Sequence, residues 1–552
     1  MRIFICLMFL LLGNFVFAQN FYLNLSSLSE KEKQIIDSLS YQKIHPNPKS
    51  ITDEIHIFSE RLTKIGYLQN RALSPEKNND STFTTLFSLG QKVDFVHIST
   101  HQTPYLKEIG IIENDSIMIP FSDIESFMNV IMQKLETRGY SMSKVMLKNF
   151  LFDKNILKAD LVEQISTQRQ LNDIVVLGYE KFPEGHKRQL KRIYRNRVFN
   201  QETLEELYQD LQKMAFINQI KSPEILFTPD STRVFLYLEK ARANNFDGYV
   251  GFTTDESNKM VFTGYLDLTL QNALNSGEKF KLYWKNDGKD QQTFDFSAEL
   301  PYIFNSPLAL RGNLNIFKQD STFQTTKTNL DLGYYFKYNT RFYLGYTSMS
   351  SNDIQGANVL NLNDIESKFF TSTLEYFDSN REDFLFPEKR NFTLKGGIGN
   401  RSSTFGDNNQ FFVHLNGFNN FYLNSKNIIN LKVDGYYLDS DSYVINELYR
   451  FGGINSIRGF NENSLQTSFF SGMMVEYRYV LAPTIYIHSI TDFGYFQDKA
   501  TDINQNLLGL GFGFGLYTNN GLFNIVYANG SVDGQEIKLS NSIIHLSFKA
   551  SF

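Results

Sequence analysis

The last eleven residues, SIIHLSFKASF, alternate without a break. Ile544, Leu546, Phe548, Ala550 and Phe552 fall on one side, and Ile543, His545, Ser547, Lys549 and Ser551 on the other. A period of two with apolar residues on one side is met by a strand buried on a single face. Upstream, LLGLGFGFGLY sets Leu508, Leu510, Phe512, Phe514 and Leu516 against Gly509, Gly511, Gly513 and Gly515. Four glycines on one face of a strand mark a place where another segment comes close. KFKLYWKN, NLDLGYYFKY, QFFVHLNGF and many similar segments continue the pattern from about Phe246. At roughly nineteen residues per strand and turn, this region holds about sixteen strands, an even number suited to a closed barrel.

A large soluble sandwich would alternate in the same way, so the N-terminus matters. Arg2 is followed by IFICLMFLLLGNFVFA, with Val16 and Ala18 at the small-residue positions of a cleavage site. Residues 1–18 are therefore expected to be a signal peptide. The only cysteine, Cys6, lies inside it, so the mature chain is expected to have neither disulfide nor cysteine chemistry. No later run is long and apolar enough for a membrane helix. Mean hydropathy is −0.30, a moderate value that suits lipid-facing residues alternating with lumen-facing ones. Export, heavy use of Phe and Tyr, and alternation together favour the outer membrane of a Gram-negative cell. A net charge of −5 with both signs interspersed offers nucleic acid no evident basic surface.

Before the barrel region the chain repeats itself. IHIFSERLTKIGY (55–67), MNVIMQKLETRGY (128–140) and LEELYQDLQKMAF (204–216) align without gaps. Each places apolar residues at i, i+3 and i+7, one face of an amphipathic helix, and each ends in a small residue plus an aromatic. Strand-like segments flank the helices: KVDFVHIS (92–99), NDIVVLGY (172–179), STFTTLFSL (81–89) and TRVFLYLEK (232–240). Each unit reads β-α-α-β-β over about 75 residues. The expected organisation is a signal peptide at 1–18, α+β repeats at 19–90, 91–170 and 171–241, and an all-β transmembrane barrel at 242–552.

The chemical motifs are poor. GLGFGFG is followed by no helix, and DSDSYVINELYR (439–450) starts like a calcium loop but has Val444 and Arg450 where glycine and glutamate are needed. His97 and His101 lie in strand and loop rather than on a helix face. No enzyme activity, cofactor or metal is expected. FGGINSIRGF (451–460) is different. Its glycines imply a loop with a defined path, and Arg458 would need a partner inside a barrel. Glu476 in FFSGMMVEYRYV and Asp492 in IYIHSITDFGYF fall on the less apolar faces of the next two strands. A loop folded into the lumen would set Arg458 against one or both carboxylates, and the planar guanidinium suits that pairing; spacing alone equally allows an exposed arginine on an extracellular loop.

GGINSIRGF, EYRY, TDFG and GLGFGFGLYTNNGLFNIVYANG together resemble the C-terminal half-barrel of the outer-membrane assembly superfamily that includes BamA and TamA. The resemblance covers residues 450–552 by motif and the rest by pattern. It implies POTRA repeats, here three as in a TamA-like layout, and a sixteen-stranded barrel. Ile457, Arg458, Gly459 and Phe460 match the loop motif that folds into the lumen, with Glu476 and Asp492 as its acidic partners. Phe548 and Phe552 match the terminal β-signal. The implied function is assembly or translocation without a cofactor. Periplasmic POTRA units would receive unfolded outer-membrane or secreted clients, and the strand around Phe246–Thr254 would part from Ser542–Phe552 toward outer-membrane lipid. A periplasm-spanning or inner-membrane partner is a further implied contact. A two-partner secretion transporter shares the barrel and loop but passes its substrate through the lumen. A simple pore would leave the repeats unexplained, and an outer-membrane enzyme lacks a candidate site.

Overall fold

The computed structural model describes residues 20–254, 260–286, 291–320, 322–354, 362–380, 383–404, 406–518, 521–536 and 542–551. The signal-peptide expectation and Phe552 lie outside these residues. Three mixed sheets precede the barrel, each carrying helices that match the repeat. The three aligned segments fall on helices Pro48–Lys64, Ile124–Thr137 and Gln201–Gln212. Their i, i+3, i+7 stripes are turned inward: Ile55, Phe58 and Leu62, then Ile131 and Leu135, then Leu207 and Leu211 are buried. Gly66 and Gly139 stop the first two helices at φ +102° and +87°, a conformation that costs glycine nothing.

Each sheet is built on a parallel pair. Phe21–Ser26 pairs with Thr82–Ser88, Phe95–Ser99 with Ile156–Gln164, and Leu171–Leu177 with Thr232–Lys240. The simple β-α-α-β-β order is approached most closely by the third unit, where the strand after the helices is split into Ile217–Gln219 and Glu224–Phe227, both paired with Thr232–Lys240. The second inserts a strand, Ser116–Pro120, between its helices, and the first adds short strands at Ile44–His45, Arg71–Ala72 and Glu76–Lys77. SIMIP at 116–120 is too short for a helix period, and its proline at the last position kept it from reading as a strand.

Two compact units divide the chain: residues 1–169 with 198–202, and residues 170–197 with 203–552. The second contains sixteen antiparallel strands closed into a barrel, from Asn245–Thr254 to Ile543–Ser551. Closure gives every strand two neighbours, as a strand-built structure needs in hydrocarbon, although the first and last share only a short ladder. Leu330, Leu332 and Phe336 of the sixth strand, Phe512 of the fourteenth, and Ile544 and Leu546 of the last are all exposed on the outside. Their alternates face the lumen. Among the described residues no helix is long and apolar enough to cross a membrane.

Within this unit the third helical domain is packed onto one mouth of the barrel. His186, on helix Glu184–Tyr194, is fully buried between Phe216 and Tyr302, at ring-centroid distances of 5.1 and 4.7 Å. Gly277, in the turn after the second strand, lies flat against the imidazole with no room for a side chain. The Asn272 amide donates to the Tyr179 hydroxyl at 2.8 Å. Neither ring nitrogen of His186 has a hydrogen-bond partner among the described residues. Burial, with the Arg341 guanidinium adding to it, pushes the imidazole pKa down to about 3.

Candidate functional site

Between the eleventh strand, Asn427–Asp439, and the twelfth, Phe469–Ala482, the chain makes a loop of 29 residues. It carries its own short hairpin, Tyr449–Phe451 with Leu465–Thr467. Gly452 and Gly453 turn the hairpin at φ +102° and +96°. The loop is anchored at its root by Arg401 of the ninth strand, whose guanidinium lies 2.5 Å from the Glu447 carboxylate with both side chains fully buried. Gln410 donates to the other oxygen of Glu447 at 2.8 Å.

Arg458 sits within the connection between the two hairpin strands and is 5% exposed. Its Nε and Nη2 donate to Asp492 Oδ2 and Oδ1 at 2.8 and 2.6 Å, a bidentate fork, and its backbone N–H donates to Oδ2 at 2.9 Å. Nη1 pairs with Glu476. Glu476 is also held by Arg478 Nε at 2.7 Å. Asp492 is wholly buried. Two arginines therefore answer two carboxylates, which is the condition for burying charge at tolerable cost.

The residues beside the arginine fit it to the wall. Ile457 is buried with Phe451, Phe470, Met474, Phe496 and Leu507. Gly459, at φ +87°, passes so close to Asn529 and Gly530 of the fifteenth strand that a Cβ would strike backbone. Phe460 packs against Gly530. Of the four glycines of the fourteenth strand, Ile503–Thr518, only Gly509 meets the loop, at the Arg458 carbonyl. Gly513 and Gly515 make room for the His488 and Tyr486 rings of the neighbouring strand, and a Cβ at Gly511 would meet the Tyr527 carbonyl. Phe548 is 39% exposed on the outer face of the last strand, away from the loop.

The tip of the loop has a second anchor that the sequence did not suggest. Glu462 pairs with Lys285 and accepts from the Tyr283 hydroxyl at 3.2 Å, both on the third strand, Lys279–Asn286. His545 of the last strand lies within electrostatic range of the same carboxylate. In strand order the third, second, first, sixteenth and fifteenth are consecutive. The loop thus runs behind the junction of first and last strands, fixed on both sides of it.

That junction is sparse. Among the described residues the first and last strands share two residue pairs, Asn245 with Ser551 and Phe246 with Ala550. Every other neighbouring pair in the barrel shares at least eight, the number joining the third and fourth strands or the fifteenth and sixteenth.

No family model matches the sequence, and no curated protein matches it; the likeness lies in the fold. CdiB from Escherichia coli superposes with a TM-score of 0.51 at 12% identity, covering 96% of this chain and all of that one. CdiB from Acinetobacter baumannii gives 0.50 at 15% identity, covering 90% of this chain and 97% of the other. BamA from Haemophilus ducreyi lacking POTRA domains 1–3 gives 0.45 at 16% identity, covering 78% and 94%.

Proposed function

We propose that this chain, with the fold shared by BamA- and CdiB-type outer-membrane barrels, takes polypeptide clients from the periplasm and inserts them through the seam between its first and last strands. The three helix-and-sheet units act as POTRA domains on the periplasmic side. The observation that carries the proposal is the two-pair ladder at the junction. Unpaired backbone in hydrocarbon costs several kcal/mol per group, so a nearly unzipped seam gains by accepting an incoming strand. Supply of that strand is supported by an edge in the second unit. Lys144–Asp153 is ten residues long, pairs on one side only, and shows Phe150 and Leu151 at 54% and 67% exposure. Extended peptides join such edges by backbone hydrogen bonds. No enzymatic step or cofactor is required.

The test is a reversible staple. Phe246→Cys with Ala550→Cys joins residues that face each other in the ladder, and Cys6 is the only cysteine in the sequence. Oxidation should abolish client assembly in proteoliposomes, and reduction should restore it. Full activity with the seam crosslinked would replace this proposal with passage through the lumen.

A further inference from the structure

The lumen opens toward the third domain as a cavity of about 960 Å³. Its wall carries eleven lysine and arginine side chains against five carboxylates, although the chain as a whole is net negative at −5. The carboxylates are mostly spent: Glu299 is paired with Arg341, Glu375 with Arg311, Asp378 with Arg390, and Glu476 with Arg458 and Arg478. Lys279, Lys281 and Lys549 have no ion-pair partner among the described residues. Glu388, the one remaining carboxylate of the wall, lies near Lys279 together with the already paired Glu299. A concave wall with an excess of positive charge, backed by lipid, focuses its field into the cavity.

The positions of the three lysines narrow what would answer that field. Lys279 and Lys281 alternate along the third strand, with Phe280 between them on the opposite face. Their spacing is about 6.6–7 Å, the spacing of every second side chain on any extended polypeptide. Lys549 faces the cavity from the last strand, so these lysines flank the seam, with only the first and second strands between them. We infer that the cavity is a binding site for acidic, extended client polypeptide, read through carboxylates on the lumenal face of the strand about to enter the seam. This rests on the assembly proposal above and adds the chemistry of the client. A strand alternating acid with apolar residues would give its carboxylates to these lysines and its other face to lipid.

The probe is a fluorescent peptide alternating glutamate with threonine, compared with its lysine-threonine counterpart, titrated into the purified full chain in detergent. The glutamate peptide should bind and the lysine peptide should not, with affinity falling as salt rises. Lys279→Gln, Lys281→Gln and Lys549→Gln together should weaken the glutamate peptide about tenfold, given modest energies per solvated charge pair. The corresponding triple arginine variant should retain binding. Equal binding of the two peptides by the unaltered protein would overturn the inference without recourse to any variant. So would full binding by the folded glutamine variant, which would put the acidic peptide elsewhere. If either happens while the seam crosslink still abolishes assembly, the client's charge has been misassigned and the assembly proposal stands.

Discussion

At the scale of single residues, Arg458 and Asp492 form a deeply buried ion pair between the loop and the thirteenth strand. Removing one partner of a buried pair strands the other, at a cost of about 3–5 kcal/mol. Arg458→Ala should lower the barrel's melting temperature and impair assembly, whereas Asn455→Ala should do little. In a double-mutant cycle the second loss at Asp492→Ala should be much smaller than the first; additive losses would show that the two act independently. Glu476, shared with Arg478, should couple more weakly. His186 gives a pH prediction. Its folded pKa of about 3 lies below the ordinary value near 6.5, so the folded state favours the neutral ring. Its contribution is complete above pH 6.5 and is lost as pH falls from there toward 3, because the unfolded state binds the proton first. Thermal stability of the domain-barrel contact should decline over that window, and His186→Leu should flatten the decline. An unchanged acid slope in the variant would assign it to other groups.

Among elements, the twelfth to fifteenth strands and their loop could be read closely from the sequence. Alternation told lipid face from lumen face at Glu476 and Asp492, and a glycine pair marked the turn that aims Arg458. The second anchor was not legible. Glu462 and Lys285 are 177 residues apart, and no local period reports which lumenal charge meets which loop across a barrel. Glu447 was hidden for a related reason: it lies in a segment resembling a failed calcium loop, and only its buried contact with Arg401 explains the acid. The glycine row looks like one surface in the sequence, but it serves the loop at Gly509 and aromatic neighbours at Gly513 and Gly515. The Glu462 anchor carries its own prediction. Glu462→Gln should free one end of the loop and make openings more frequent in single-channel recordings, with the Arg458 end still in place. Gating identical to the unaltered protein would leave Glu462 without a role in closure.

For the whole molecule, helix-bearing sheets followed by a closed sixteen-strand barrel could be seen in the periodicities, but the partition into two units could not. The third domain belongs with the barrel because Tyr179 and His186 are buried against its turns, contacts made by side chains that a repeat pattern treats as variable. Limited proteolysis of the purified chain should therefore release the first two helix-and-sheet units and leave a heat-modifiable fragment beginning near residue 170. Release of all three at once would show that the third is not held. The double attachment of the loop also sets a length. Between Arg458 and Glu462 the backbone is folded into turns rather than drawn out, and four residues pulled straight reach at most about 14 Å. Each strand added at the seam widens the wall by about 4.8 Å, and the chord across the lumen by less. Were client strands to enter at the seam as proposed, the loop would be a tether with slack, paid out by a first strand and drawn taut by more, so that the barrel would measure its client strand by strand.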